Sequence, residues 1–206
     1  MAMKKKIAII IALCVVLAAA AGVFAACGDA DDTGAPRYEY FTFAYDESLG
    51  GLILDVSYYS LLPDGELTLP EESAYYTTVD SVDEETEREP KPVVAIADRA
   101  FEGNARLTEL TVPACVRSIG ERAFYECGAL TSVAFGDGAE VAIGGEAFKY
   151  CASLKTVSGG KATEIGEEAF FGCTSLSEFA TDASGAEIGD GAFGSCISLD
   201  KVPGAA

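Results

Sequence analysis

The chain has 206 residues, with 33 acidic against 14 basic side chains, a net charge of −19 and no histidine. The missing histidine excludes His-based triads, His metal ligands and the commonest general base. The acidity excludes nucleic acid as a partner, because phosphate backbones are bound by cationic side chains that displace counterions.

Lys4, Lys5 and Lys6 precede an uncharged apolar stretch over residues 7–26, the build of a secretory signal. It ends in Phe24-Ala25-Ala26-Cys27-Gly28, and two small residues before a cysteine match the bacterial lipoprotein signal. Residues 1–26 are therefore read as a signal peptide and Cys27 as the lipid attachment site. Cleavage after an alanine without lipid and an uncleaved membrane helix stand as alternatives, since about 20 apolar residues span a bilayer. All three export the remainder, and the first gives a cell-membrane lipoprotein facing the extracellular or periplasmic side. Loss of residues 1–26 removes three basic residues and no acidic one, leaving 11 against 33 and a net charge of −22. Residues 27–37, with Asp29, Asp31, Asp32, Gly34 and Pro36, read as a short solvated tether.

Residues 38–45 and 52–59 alternate like two strands joined by a turn at Leu49-Gly50-Gly51. Glu66-Leu67-Thr68-Leu69-Pro70 then nearly repeats Glu109-Leu110-Thr111-Val112-Pro113. Residues 38–70 are thus expected to form a β cap and the first rung of a sheet. The repeat exposes an insertion: Pro113 to Ile119 spans 6 residues, whereas Pro70 to Ile96 spans 26. The inserted segment, 71–92, is rich in Glu and Asp and carries Tyr75 and Tyr76. Loops of this length are either functional or merely solvated. As a binding loop it would use those tyrosines, which anchor recognition at low entropic cost. Divalent-ion buffering by its carboxylates is a weaker alternative, because they lack the alternating oxygen ligands and central Gly of a defined calcium loop, and no defined metal site is expected.

From residue 93 to 206 the chain repeats. An Ala-Phe pair recurs at Phe101, Phe124, Phe148, Phe170 and Phe193, at intervals of 23, 24, 22 and 23 residues. The shared pattern is Ile-Gly-x-x-Ala-Phe-x-x-Cys-x-x-Leu-x-x-Val, as in Ile143, Gly144, Ala147, Phe148, Cys151, Leu154 and Val157, with Ala97 and Asn104 replacing the Gly and Cys in an atypical first copy. Such a period means a supersecondary unit stacked on copies of itself, none of which folds alone. Leu107, Leu110 and Val112 point one way from an extended segment, so each copy supplies a short strand to a parallel sheet. The return half starts at Ile119, Ile143, Ile165 or Ile188, turns at Gly120, Gly144, Gly166 or Gly189, and is expected to enter a short helix. Asp98, Glu121, Glu167 and Asp190 would help its exposed N–H groups. The final residues end just inside a fifth strand with no polar cap, which leaves that strand frayed or covered by another chain.

Cys127, Cys151, Cys173 and Cys196 share one repeat position. Even spacing in an exported chain invites disulfides. In a stack, however, equivalent positions form a ladder, and bridging it would pair rungs unequally. Buried free thiols are the expectation, because a row is also the wrong shape for a tetrahedral metal site. Cys115 lies outside this column.

The motif resembles the BspA-type leucine-rich repeat of bacterial and protist surface proteins, with Cys where ordinary leucine-rich repeats carry Asn. The resemblance covers about residues 94–203. It implies an α/β repeat solenoid: a leucine-rich-repeat-like stack of short parallel strands and short helical turns, with a small antiparallel β cap at the N-terminus. It also implies a surface-anchored interaction module engaged in adhesion or ligand binding to an extracellular protein or glycan. The outward sheet residues Thr108, Glu109, Thr111, Ser132, Thr156, Ser158, Glu178 and Lys201 form the candidate surface, with Tyr75 and Tyr76 of the loop. The sheet residues are small and mostly polar, without aromatic anchors, which suits weak or multivalent contacts. No cofactor or catalytic residue is expected, since the carboxylates fall on repeat surfaces with no cleft to shift their pKa values. The alternative function is a structural or accessory lipoprotein that scaffolds other envelope components.

Overall fold

The computed structural model describes residues 41–56, 65–73 and 90–201. Its strands, in chain order, are β1 (Phe41–Asp46), β2 (Gly51–Val56), β3 (Gly65–Thr68), β4 (Glu72–Ser73), β5 (Lys91–Ile96), β6 (Leu107–Val112), β7 (Ser118–Ile119), β8 (Ser132–Phe135), β9 (Glu140–Ile143), β10 (Thr156–Ser158), β11 (Lys161–Ile165), β12 (Glu178–Phe179) and β13 (Glu187–Ile188). Each coil of the array has three sides. One side adds a strand to a five-stranded sheet ordered β12-β10-β8-β6-β3. A second adds one to a longer sheet ordered β1-β2-β5-β7-β9-β11-β13. The third is a run of turns.

The start of the stack follows from local chemistry. β1 and β2 form an antiparallel hairpin, Phe41 opposite Val56 through Asp46 opposite Gly51. The Asp46 carboxylate accepts from the Ser48 hydroxyl and from the Ser48 and Leu49 amides, and these bonds, the hydroxyl's foremost, hold it below the usual carboxylate range. β3 lies parallel to β6 with Glu66, Leu67 and Thr68 opposite Glu109, Leu110 and Thr111, the register that their shared sequence suggests.

The helical turns are a correction: among the described residues there is no helix. Two residues in each turn stand in left-handed backbone conformation, such as Arg122 and Glu126, both at φ 57, and Glu146 and Tyr150 at φ 54 and 63. This conformation breaks a right-handed helix. It also directs alternate N–H groups out of the coil. The amides of Arg122, Phe124 and Glu126 donate to Gly145, Ala147 and Lys149 of the next coil at 3.0, 2.8 and 2.9 Å. The intervening amides of Ala123 and Tyr125 close local turns on Gly120 and Arg122. Backbone bonds therefore join neighbouring coils on all three sides, where a helix would keep them to itself. The second parallel sheet was equally unforeseen, because strands as short as β7 carry no readable alternation.

The glycines after each Ile hold the coils together by close approach rather than by a left-handed conformation. A Cβ on Gly166 would lie 2.5 Å from the Gly145 nitrogen, and one on Gly189 2.5 Å from the Glu167 nitrogen. Inside the coils Phe101, Phe124, Phe148, Phe170 and Phe193 form one stacked column. Successive ring centroids are 4.8, 5.0, 5.2 and 5.4 Å apart, with planes within 10°. Phe41 meets Phe101 edge-on, and Phe179 does the same to Phe170 and Phe193. Burying each ring fully is worth about 1.5 to 3 kcal/mol.

Candidate functional site

Three structural consequences of the repeat bear on function: a thiol column, a flat sheet face and a ridge on the turn side. The cysteines of the column are free. Each thiol donates to the carbonyl of a Phe in the preceding coil: Cys127 to Phe101, Cys151 to Phe124, Cys173 to Phe148 and Cys196 to Phe170, all at 3.1 Å. Asn104 occupies this position in the first coil and instead accepts from the amides of Arg106 and Leu107 at 2.9 and 3.1 Å. Burial, followed by the neighbouring thiols, pushes Cys151 and Cys173 well above the ordinary thiol range. These groups are therefore inert as nucleophiles and serve the packing.

The outer face of the five-stranded sheet gathers most of the residues expected from sequence. Glu66, Glu109, Ser132, Thr156 and Glu178 form one row across all five strands, and Thr68, Thr111, Ala134 and Ser158 a second. All are exposed or half-buried. Thr108 stands at the entrance of β6, where its carbonyl accepts the Thr131 hydroxyl at 2.8 Å. Lys201 is exposed and follows the last strand, outside these rows. Cys27, Tyr75 and Tyr76, the signal segment and the tether lie outside the described residues. So does most of the inserted segment, but its base is closed: Glu72 and Ser73 pair antiparallel with Pro92 and Lys91. The Cys115 thiol lies against that base, donating to the Glu71 carbonyl at 3.4 Å.

The turn side carries residues that the sequence reading did not single out. Tyr125, Tyr150 and Phe171 form an outer aromatic row, with edge-to-face centroid distances of 5.8 and 5.9 Å. Beside it runs a ladder of ion pairs. Arg122 bridges Glu102 and Glu146 at 3.0 and 3.7 Å, and Lys149 bridges Glu146, at 3.2 Å, and Glu168. The hydrogen bond to Glu168 is the largest influence holding the Lys149 ammonium above the ordinary lysine range, and Glu146 adds to it. The Arg122 guanidinium sits 3.9 Å over the Tyr125 ring, and the Lys149 ammonium 5.5 and 5.7 Å from those of Tyr150 and Phe171. Partial burial, then the Glu126 carboxylate, raises the Tyr125 phenol above its usual range. The position after each repeated Phe, which reads Glu102, Tyr125, Lys149, Phe171 and Gly194, signals Tyr125 and Phe171 by its irregularity but not Tyr150, which stands one residue further on.

Comparison with known proteins agrees with this architecture. Residues 88–203 match the profile of the BspA type leucine rich repeat region in six copies, one more than the Ala-Phe pairs mark. A leucine-rich repeat protein from Bacteroides capillosus shares 23% identity at a TM-score of 0.52, over 81% of this chain and 95% of that one. A leucine rich cell surface protein from Faecalibacterium prausnitzii shares 19% at 0.53, over 81% of this chain and 53% of that one. A third, from Bacteroides ovatus, shares 23% at 0.50, over 79% and 45%. The chain thus spans about half the length of the latter two. No curated protein matches it.

Proposed function

The chain belongs to the BspA-type leucine-rich repeat family, and on that premise we propose that it is an exported protein-interaction module, held at the cell surface through Cys27, that adheres to an extracellular protein or glycan. The observation that carries this reading is the outer face of the five-stranded sheet. Rows of Glu, Ser and Thr side chains in register, with Ala134 among them, make a surface roughly 19 Å across at strand spacing. Without large anchoring side chains there, each contact is weak, and affinity comes from many copies engaging at once on a membrane. A rigid scaffold, a broad face and a repeated apolar interior suit binding. Tyr75 and Tyr76 of the inserted segment are the second candidate contact.

The test is binding of the native protein to a panel of immobilised matrix proteins and glycans, beside variants carrying Ser132→Arg with Thr156→Arg, and one lacking residues 71–90. Binding lost in the sheet variant supports the reading. No binding across the panel, together with stoichiometric co-purification of an envelope component, replaces adhesion by the scaffolding role. Mass spectrometry of the native N-terminus decides the anchor: a diacylated Cys27 is expected, and an unmodified or uncleaved terminus overturns it.

A further inference from the structure

Tyr150 stands at φ 63 with 42% of its surface exposed. A bulky residue in left-handed conformation is strained, and burial of its ring does not supply the reason. The equivalent residue in the other coils is Gly103, Glu126, Gly172 or Ser195. The following coils make room for the outer rings: a Cβ on Gly172 would lie 2.7 Å from Tyr150 Cδ1, and one on Gly194 2.6 Å from Phe171 Cδ2. Tyr125, Tyr150 and Phe171 therefore lie along the stack as one ridge, crossing coils at a rise of about 4.8 Å each.

We propose that this ridge docks an extended, arginine- or lysine-bearing segment of a partner protein. Its own contacts indicate what it accepts, since the three rings already hold the cations of Arg122 and Lys149. Those cations do not recruit an anionic partner, because each is bridged by two carboxylates. The charge left over is negative: the five turn segments, residues 98–104, 121–127, 145–151, 167–173 and 190–196, carry eight carboxylates against Arg99, Arg122 and Lys149. Glu126, exposed beside Tyr125, makes no ion pair among the described residues. A second copy of this chain, with 33 acidic and 14 basic residues, is repelled. An extended peptide with alternate cationic side chains suits the ridge because its side-chain period of about 6.8 Å exceeds the 5.8 and 5.9 Å between rings by about 1 Å per step, which long flexible Arg and Lys side chains absorb. The ridge lies on a different side of the coil from the sheet face, so the proposal does not rest on the sheet as binding surface.

The experiment is calorimetric titration of the full chain with a ten-residue peptide of alternating arginine and glycine, at low and moderate salt, with a glutamate-glycine peptide and a neutral oligosaccharide as comparators. The informative variant is Tyr150→Gly, which places at this position the residue two other coils carry. The arginine peptide alone is expected to bind, with affinity falling about tenfold or more in Tyr150→Gly, falling less in Glu126→Gln, and unchanged in the Ser132→Arg, Thr156→Arg sheet variant. Absence of binding overturns the proposal. So does equal affinity in Tyr150→Gly, which would mean unspecific attraction to an acidic chain, and so does Tyr150-dependent binding of the oligosaccharide, which would make the ridge a sugar surface.

Discussion

The same turns carry two rows of aromatic rings that differ in almost every respect. The inner row is Phe in all five copies, stacked face to face and closed from water. The outer row is Tyr, Tyr and Phe in three copies, set edge to face and half open to solvent. An inner side chain meets its own equivalent above and below, so any change is felt on both sides and identity is the stable solution. An outer side chain has solvent for one neighbour and is free to vary. Repetition marks what holds the stack, and departure from repetition marks what the stack presents.

The widest separation between the rows comes from Phe148→Ala, which opens a cavity between two stacked rings and should cost about 3 to 5 kcal/mol in a urea titration. Phe193 stacks on Phe170 alone among the described residues, with Phe179 at its edge, and should cost less, about 2 kcal/mol. Equal losses would contradict an array whose units are stabilised by their neighbours. Next in size is Gly166→Ala, whose Cβ meets backbone 2.5 Å away, where nothing can swing aside; about 1 to 3 kcal/mol is expected.

Smaller is Cys173→Ala, which removes one thiol-to-carbonyl bond and should cost about 1 kcal/mol. Here pH sharpens the contrast. The folded thiol keeps its proton above the ordinary value, chiefly through burial, whereas an unfolded thiol loses it near about 8.5. Stability contributed by the thiol is therefore full below that pH and lost as pH rises toward the folded value. Urea midpoints of the native chain should fall between neutral and strongly alkaline pH, and by less in Cys173→Ala; parallel curves would contradict a buried thiol. Least of all, Tyr150→Gly should leave the midpoint within about 0.5 kcal/mol, since loss of ring contact is offset by relief of the left-handed backbone. A large loss would make the ridge part of the packing.

The stack, its period and its inward columns were legible because they rest on regular recurrence: Phe, Cys, Leu and Ile return at fixed intervals, and Glu66-Leu67-Thr68 announces its pairing by copying Glu109-Leu110-Thr111. The sheet rows followed from the same spacing. The turns were not legible. Ala-Phe flanked by Glu and Arg reads as helix by propensity, but the coils bond to each other through Arg122, Phe124 and Glu126, so tertiary hydrogen bonding overrides the local preference. The outer ridge escaped notice for the opposite reason, because Tyr125, Tyr150 and Phe171 occupy no single repeat position and meet only through the lean of each ring over the next coil.

Amide hydrogen exchange, resolved residue by residue, tests most directly whether the turns are bonded from coil to coil. The account predicts that the amides of Phe124 and Phe148, which donate to Ala147 and Ala169, exchange only through global unfolding, with weaker protection at Phe170 and Gly172 toward the last described coil. Rapid exchange at Phe124 and Phe148, at the rate of an open turn, would contradict it.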